Sequence, residues 1–125
     1  MANPNIVNVA AIYGNTSTTS LTTTSATSIV SNAASSGKVY KINSLVVANI
    51  DGTNAADITI NVYSAAALGG TAFPIASTIS VPADATLIIT DKTTSFYLLE
   101  NQSIGATAGS ASDLVVTASW EEINS

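Results

Sequence analysis

The sequence contains no cysteine, no histidine and no arginine among its 125 residues. Without histidine it lacks the commonest general base and the Ser-His-Asp and Cys-His arrangements of nucleophilic catalysis. Without cysteine it can form neither a disulfide nor a thiolate metal site. These absences remove most enzyme chemistry, so we expect a protein that is not an enzyme, with no catalytic residues and no cofactor.

Positive charge is also scarce. Lys38, Lys41 and Lys92 stand against eight carboxylates, and the net charge is −5. Nucleic acids and anionic membrane surfaces both attract clustered cations, which this chain does not have. No apolar run approaches the roughly 18 residues of a membrane span, and the first residues lack the basic charge of a signal peptide. We therefore expect no nucleic-acid partner, no membrane partner and no secretory export.

What is present favours a folded β domain. Hydrophobic residues make up 46% of the chain and charged residues only 9%, with 17 serines and 17 threonines. Disordered chains are usually richer in charge and poorer in β-branched residues. The length is that of one ordinary domain. We predict that residues 1–125 form a single domain whose polar surface consists mostly of hydroxyl and amide groups.

The clearest pattern lies between Lys38 and Ser64. Both halves of this segment alternate apolar and polar residues with a period of two, which is the period of a pleated strand. The middle reads Asp51-Gly52-Thr53-Asn54, whose residues favour turns. The pattern predicts a long antiparallel hairpin, with the other strands laid beside it.

Further short strands follow from alternation and from turn residues between the runs. We predict them at Asn5–Tyr13, Ser20–Val30, Phe73–Val81, Thr86–Thr90, Phe96–Glu100, Ser103–Ala108 and Asp113–Glu122. Residues 65–71 are predicted to form a loop. About eight or nine short strands without helical periodicity are typical of an antiparallel β-sandwich. We predict an all-β, jelly-roll-like sandwich.

The stretch from Thr16 to Ser36 is rich in threonine and serine. Such composition is also found in mobile linkers, but threonine favours strands, and Leu21, Ile29 and Val30 supply apolar anchors. We interpret residues 1–36 as an N-terminal strand followed by a Thr/Ser-rich arm. The hypothesis is that the arm contacts a neighbouring subunit through these three side chains.

Metal binding has three candidate ligands at the tip of the predicted hairpin. Asp51, Asn54 and Asp57 could each offer oxygen to calcium, but their spacing matches no known ligand loop such as the EF-hand. Asp and Asn are common in turns because their side chains bond to nearby backbone. The turn interpretation is the stronger one, and we predict no metal site.

Aromatic residues fall into two groups by their parity. Trp120 and Phe96 share parity with apolar neighbours, which predicts a place in the core. Tyr63 and Tyr97 alternate out of the apolar rows, which predicts half-exposed rings at an interface. Exposed aromatic rings also serve as platforms for sugars, so a glycan-binding role stays open.

Several segments together resemble a known class of protein. They are MANPNIVNV, SSGKVYKINSLVVANIDGTNAADITINVY, SVPADATLIITDKTTSFYLLENQSI and SDLVVTASWEEI. In combination these segments resemble small virion structural proteins of marine tailed bacteriophages, including cyanophages. The resemblance implies a β-rich subunit without catalytic residues, present in many copies, and assembled into the virion in the host bacterial cytoplasm.

The leading hypothesis is a capsid decoration (cement) protein that binds the major capsid protein. We expect a symmetric homo-oligomer, with a trimer as the working expectation, because repeated weak contacts sum by avidity. One alternative keeps the virion but moves the protein to the neck, the tail or a fibre attachment. A second alternative is a module that binds glycans or a host surface.

Overall fold

The computed structural model describes residues 4–124, so the ends of the predicted domain and arm, residues 1–3 and 125, lie outside the described residues. Within that range the chain forms nine β-strands and one 3₁₀ turn at Lys92–Thr94. The strands are β1 (Ala11–Ser20), β2 (Thr27–Asn32), β3 (Lys38–Asn49), β4 (Ala56–Ala65), β5 (Gly69–Val81), β6 (Thr86–Thr90), β7 (Phe96–Leu98), β8 (Gln102–Ala108) and β9 (Leu114–Asn124).

The strands make two antiparallel sheets that pack face to face. The first sheet has the order β1-β9-β3-β6, and β7 continues beyond β6 along the same edge of β3. The second sheet has the order β2-β8-β4-β5. With β6 and β7 counted as one interrupted strand, this is the eight-strand order of a jelly roll. The prediction of an all-β sandwich of eight or nine short strands is confirmed.

The predicted hairpin between Lys38 and Ser64 is wrong. Its two arms are strands β3 and β4, but β3 pairs with β6, β7 and β9, whereas β4 pairs with β5 and β8. A period of two records which face of a strand is buried and does not identify the neighbouring strand. Both arms carry buried apolar residues, such as Leu45 on β3 and Ile60 on β4. These faces meet across the core instead of extending one sheet.

Strand limits in the N-terminal third also differ from the prediction. The first strand is Ala11–Ser20 and not residues 5–13, and the second is Thr27–Asn32 and not residues 20–30. The predicted loop at residues 65–71 shrinks to a turn, since β5 already begins at Gly69. Residues 14–20 contain no large apolar side chain. Their strand conformation comes from a full ladder with β9, which the local pattern does not reveal.

The core lies between the two sheets. Large side chains with less than 2% exposure come from both sheets and include Leu21, Ile42, Leu45, Ile58, Ile60, Leu98, Ile104 and Leu114. Trp120 and Phe96, predicted for the core, are only partly buried and pack against its margin. The Trp120 ring stacks on Tyr40 with centroids 6.1 Å apart. Two partly exposed aromatics thus pack on each other and against the core.

A buried asparagine fastens one end of the sandwich. Asn49, at 3% exposure, ends β3 where the chain leaves the first sheet for the second. Its Nδ2 donates to the carbonyls of Asn54 at 3.0 Å and Val81 at 2.9 Å. Its Oδ1 accepts from the backbone N–H of Asp51 at 2.9 Å. One side chain thereby satisfies three backbone groups, two in the β3–β4 connection and one at the end of β5.

A second buried asparagine has the same role at the opposite end. Asn32 is fully buried at the end of β2, and its Nδ2 donates to the carbonyls of Lys38 at 2.9 Å and Leu98 at 3.3 Å. Its Oδ1 accepts from the Ser36 hydroxyl at 2.6 Å. Because buried backbone groups need partners, each asparagine fixes where the chain crosses between sheets.

The burial of the core side chains predicts how two matched truncations change the free energy of unfolding. Ile60→Ala removes a fully buried side chain and is expected to lower the free energy of unfolding by about 2–5 kcal/mol. Ile88→Ala removes the same atoms from a side chain that is 61% exposed, and its effect should stay within about 0.5 kcal/mol. Urea unfolding of both variants measures the difference. Equal losses would contradict this assignment of core and surface.

The hydrogen bonds of Asn49 predict that a nearly isosteric substitution lowers the free energy of unfolding. Asn49→Asp replaces a double donor by a carboxylate that faces two carbonyls, so we expect a loss of about 2–6 kcal/mol at neutral pH. The control is Asn61→Asp on β4, where no side-chain hydrogen bond is found among residues 4–124 and a small effect is expected. Thermal melts at neutral pH compare the two. An Asn49→Asp variant that melts at the same temperature as the wild type would show that the crossing between the sheets does not need this side chain.

Candidate functional site

Of the three candidate metal ligands, Asp51 and Asn54 belong to one turn and Asp57 lies on the following strand. The Oδ1 atom of Asp51 accepts from the backbone N–H groups of Thr53 at 2.8 Å and Asn54 at 3.2 Å. Asp57 lies on β4, where its carbonyl accepts from Gly109 N at 2.8 Å. Within residues 4–124 there is no cluster of three or more Asp, Glu, His or Cys that could hold a metal ion. The Asp51 carboxylate accepts the hydrogen bonds of a turn, as the turn interpretation predicts.

Three of the five interface candidates lie inside the core of their own chain. Leu21 is fully buried, Ile29 is 7% exposed and Val30 is 3% exposed. Val30 belongs to β2, which pairs with β8, and Leu21 donates from its backbone N to Leu114 O at 2.9 Å. The hypothesis that these three side chains contact a neighbour is corrected, because they fill the space between the sheets.

Tyr63 was expected to be half-exposed and is buried, with 9% exposure. Gly105 on β8 explains this position. A Cβ atom at Gly105 would lie 2.9 Å from Cε1 of Tyr63 and 2.7 Å from Cδ2 of Leu68. The missing side chain lets the tyrosine ring and the leucine close over β8. Sequence parity could not reveal this because the space comes from a different strand.

Tyr97 is the fifth candidate and is 43% exposed. It borders a shallow apolar depression of about 190 Å³, which is also lined by Pro4, Ile6, Val39 and Leu99. Its assignment to an interface stays a prediction. The depression has an almost entirely apolar lining and no charged group among these residues.

Four large apolar side chains are exposed on β5 and β6, the neighbouring edge strands of the two sheets. We define the β5–β6 patch as Phe73, Ile75, Ile79 and Ile88, which are 58%, 45%, 41% and 61% exposed. A shallow depression of about 220 Å³ adjoins it between Ile75 and Phe96. Exposed apolar side chains of this size are typical of surfaces through which folded proteins interact.

The β5–β6 patch could not be identified from the sequence. Phe73, Ile75, Ile79 and Val81 share one parity, which predicts a common buried face, yet only Val81 is buried. The register of β5 against β4 shifts at several points, and Thr78 has a φ of +49°. Ile79 and Phe73 nevertheless lie opposite Ile58 and Val62, which belong to the core or pack against it. Their exposure therefore follows from the position of β5 at the edge of its sheet, which alternation alone does not reveal.

The charged groups on β3 and near the end of β9 form local pairs. Lys38 Nζ lies 2.7 Å from Glu122 Oε1, and Glu121 Oε1 accepts from Asn43 Nδ2 at 2.9 Å. The hydrogen bond to Lys38 lowers the pKa of Glu122, and the same bond raises the pKa of Lys38. Burial, followed by the Glu122 charge, raises the pKa of Tyr40. The two glutamates have separate partners and do not form an acid–base pair.

No helix in the described part of the chain is long and apolar enough to cross a membrane. No protein-family model matches the sequence, and no curated protein matches it either.

Solved structures do match the fold. A structure of Bacillus endospore appendages, a family of disulfide-linked pili, aligns with a TM-score of 0.54 and 19% identity over 91% of this chain and 89% of that chain. A structure of the T13 IBDV viral particle aligns with a TM-score of 0.51 and 8% identity over 93% of this chain. The present chain spans about a third of that second chain, 32%. At these identities the likeness establishes the fold alone.

A pentameric capsid protein isolated from metagenomic phage sequences aligns with a TM-score of 0.39 and 17% identity, over 88% of this chain and 62% of that chain. A likeness at that level carries no structural argument.

The turn at Asp51 predicts a specific pH dependence. Hydrogen bonds from the backbone N–H of Thr53, and next from that of Asn54, lower the pKa of Asp51. A carboxyl whose pKa is lower in the folded state stabilises the fold above its unfolded pKa, about 3.9, and loses that contribution as the pH falls through the folded value. Asp51→Asn should therefore be less stable than the wild type near pH 7.

The difference between wild type and Asp51→Asn should shrink as the pH falls through the folded pKa of Asp51, since the carboxylate then becomes uncharged. Thermal melts at pH 7 and at successively lower pH values measure this. A difference that stays constant with pH would contradict the role given to the carboxylate. Adding calcium at neutral pH should leave both melting temperatures unchanged, and a rise confined to the wild type would restore the metal interpretation.

Proposed function

We propose that this protein is a non-enzymatic structural subunit of a phage particle, most simply a decoration protein bound to the outside of the capsid. The observation that carries the proposal is the β5–β6 patch. Four large apolar side chains stand on the surface of a chain that has few charged residues. Such a surface loses little hydration energy when another protein covers it, so it suits assembly better than catalysis.

The chemistry of the chain supports the same conclusion. The described residues contain no cluster of acidic or metal-binding side chains, and the sequence contains no histidine or cysteine. The depressions beside Tyr97 and Ile75 are shallow and mostly apolar. An active site needs convergent polar groups as well as a pocket. The surface provides contact area without them.

The comparisons support assembly as a use of this fold. The two structures that align best with the chain among those described above come from a pilus and from a viral particle. The pili are described as disulfide-linked. The present sequence has no cysteine, so its copies would have to be held by non-covalent contacts. The phage assignment rests on the sequence resemblance to small virion proteins.

Within a particle, the exterior of the head is the leading location and the major capsid protein the leading partner. Each subunit would cover its β5–β6 patch against a repeated site on the capsid, and small gains per contact would sum over many copies. A location at the neck, the tail or a fibre attachment uses the same surface with fewer copies. Gold-labelled antibody on intact particles distinguishes the two locations by electron microscopy.

A second candidate function is binding of a glycan or host surface through Tyr97. The observation that favours it is a ring with 43% exposure beside an apolar depression, because aromatic rings can stack on apolar faces of ligands. Glycan binding by the wild type that Tyr97→Ala abolishes would support this function. Particle binding that is unchanged in Tyr97→Ala would separate it from the structural role.

The structural proposal predicts a contrast between two isoleucines of equal exposure. Ile88 lies in the β5–β6 patch at 61% exposure, whereas Ile50 lies in the β3–β4 connection at 62% exposure. If the patch is covered by the capsid, Ile88→Ser loses the transfer free energy of one large side chain, about 1.5–3 kcal/mol. Binding to particles that lack the protein should weaken at least about 10-fold.

Ile50→Ser should bind those particles as the wild type does, because its position is outside the patch. Co-sedimentation of purified protein with the particles measures both affinities. Equal weakening of the two variants, or no weakening of Ile88→Ser, would remove the patch as the binding surface. Failure of the wild type itself to bind would contradict the decoration role.

A further inference from the structure

The two sheets have four edges, and three of them carry features that hinder pairing with another strand. In β2, which has six residues, the register shifts between Ser28 and Val30. In β5 there are several register shifts, and Pro74 has no N–H to donate. In β6, which has five residues, the register also shifts. Short strands, bulges and proline are the devices by which edge strands avoid unwanted pairing.

The fourth edge, β1, has none of these devices. Its ten residues pair with β9 in unbroken register from Ala11 opposite Asn124 to Ser20 opposite Val115. The strand contains no proline and no charged residue. Long, regular and uncharged edges are templates for the addition of another strand. Among the edges of the described strands, β1 alone is open in this sense.

The direction of the free backbone groups follows from the hydrogen-bond pattern. Leu21 N donates to Leu114 O at 2.9 Å, and this pair continues the β1–β9 register by one residue. In an antiparallel ladder, hydrogen-bonded and non-hydrogen-bonded pairs alternate. The odd-numbered residues of β1 therefore bond to β9. The even-numbered residues direct their N–H and C=O groups away from the sheet, and they are Ile12, Gly14, Thr16, Thr18 and Ser20.

We propose that this edge pairs with β1 of a second copy of the chain, antiparallel about a two-fold axis at Thr16. The second copy is the occupant because the other three edges are obstructed, and a two-fold contact joins identical surfaces. Gly14 then lies opposite the partner's Thr18, and Ile12 opposite the partner's Ser20. Five such pairs exchange about ten hydrogen bonds, the number found in a typical specific interface.

The side chains of β1 fit this arrangement. The strand carries no charge although the chain has a net charge of −5, so two copies place no like charges opposite each other. Thr16 faces the partner's Thr16, and Tyr13 faces the partner's Thr19. Threonine pairs and aromatic–threonine pairs across strands are favourable. The result is one continuous sheet through both molecules.

This inference goes beyond the proposed function, since it depends on the β1 edge and not on the β5–β6 patch or on a virion. It also replaces the expected trimer by a dimer, or by an assembly built from dimers. Failure of particle binding would leave the dimer intact, and loss of the dimer would leave the patch in place. The two proposals are therefore distinguishable.

Two substitutions at one position test the pairing. The N–H of Thr16 points away from β9, so Thr16→Pro removes no hydrogen bond inside the chain and is compatible with an edge strand. At the two-fold axis it removes two bonds between copies, and we expect dissociation to increase about 10- to 100-fold. Thr16→Ala keeps the N–H and should dimerise within a few-fold of the wild type. Sedimentation equilibrium over a range of concentrations measures both.

Hydrogen exchange on the wild type provides a readout that needs no variant. At concentrations where the dimer forms, the five outward amides of β1 should become protected. They should exchange freely after dilution, while the odd-numbered amides bonded to β9 stay protected at both concentrations. A monomer at millimolar concentration would overturn the proposal. So would a trimer or a dimer in which the outward amides remain unprotected.

Discussion

The fold depends on satisfying backbone polar groups where the chain crosses from one sheet to the other. A jelly roll makes such crossings at both ends, and at each end some carbonyls and N–H groups fall out of reach of the sheet ladders. Asn49 and Asn32, both buried, supply the missing partners. Each bonds to the chain that follows it within six residues and also to a strand distant in the sequence, at Val81 or at Leu98. These contacts fix the crossings and thereby bring the apolar faces of β3 and β4 together.

Much of the secondary structure could be predicted from the sequence, whereas strand pairing could not. Alternation located Thr86–Thr90 without error and the last strand to within two residues at its end. It also suggested a hairpin between β3 and β4, because a turn sequence joins two alternating runs in the same way whether the chain reverses within a sheet or crosses between sheets. The difference depends on Asn49, whose bonding to Val81 is not visible in local sequence.

The candidate surface was hidden for a related reason. Alternation assigns the two faces of a strand but not its place in the sheet, and Phe73, Ile75 and Ile79 are exposed on the edge strand β5. Conversely, the Thr-rich segment was expected to reach outside the molecule, yet Leu21 and Val30 fill its core. What the sequence did indicate is chemical: it contains no histidine, cysteine or arginine. A rigid sandwich with one apolar patch and one open edge is suited to repeated assembly.

We propose that the protein is a structural component of a particle and is present in many copies. The most direct test is its copy number in purified particles, measured by quantitative mass spectrometry against the major capsid protein. We expect a copy number comparable to that of the capsid subunits or a simple fraction of it. A few copies per particle would place the protein at the neck or tail. Absence of the protein from particles would contradict the claim.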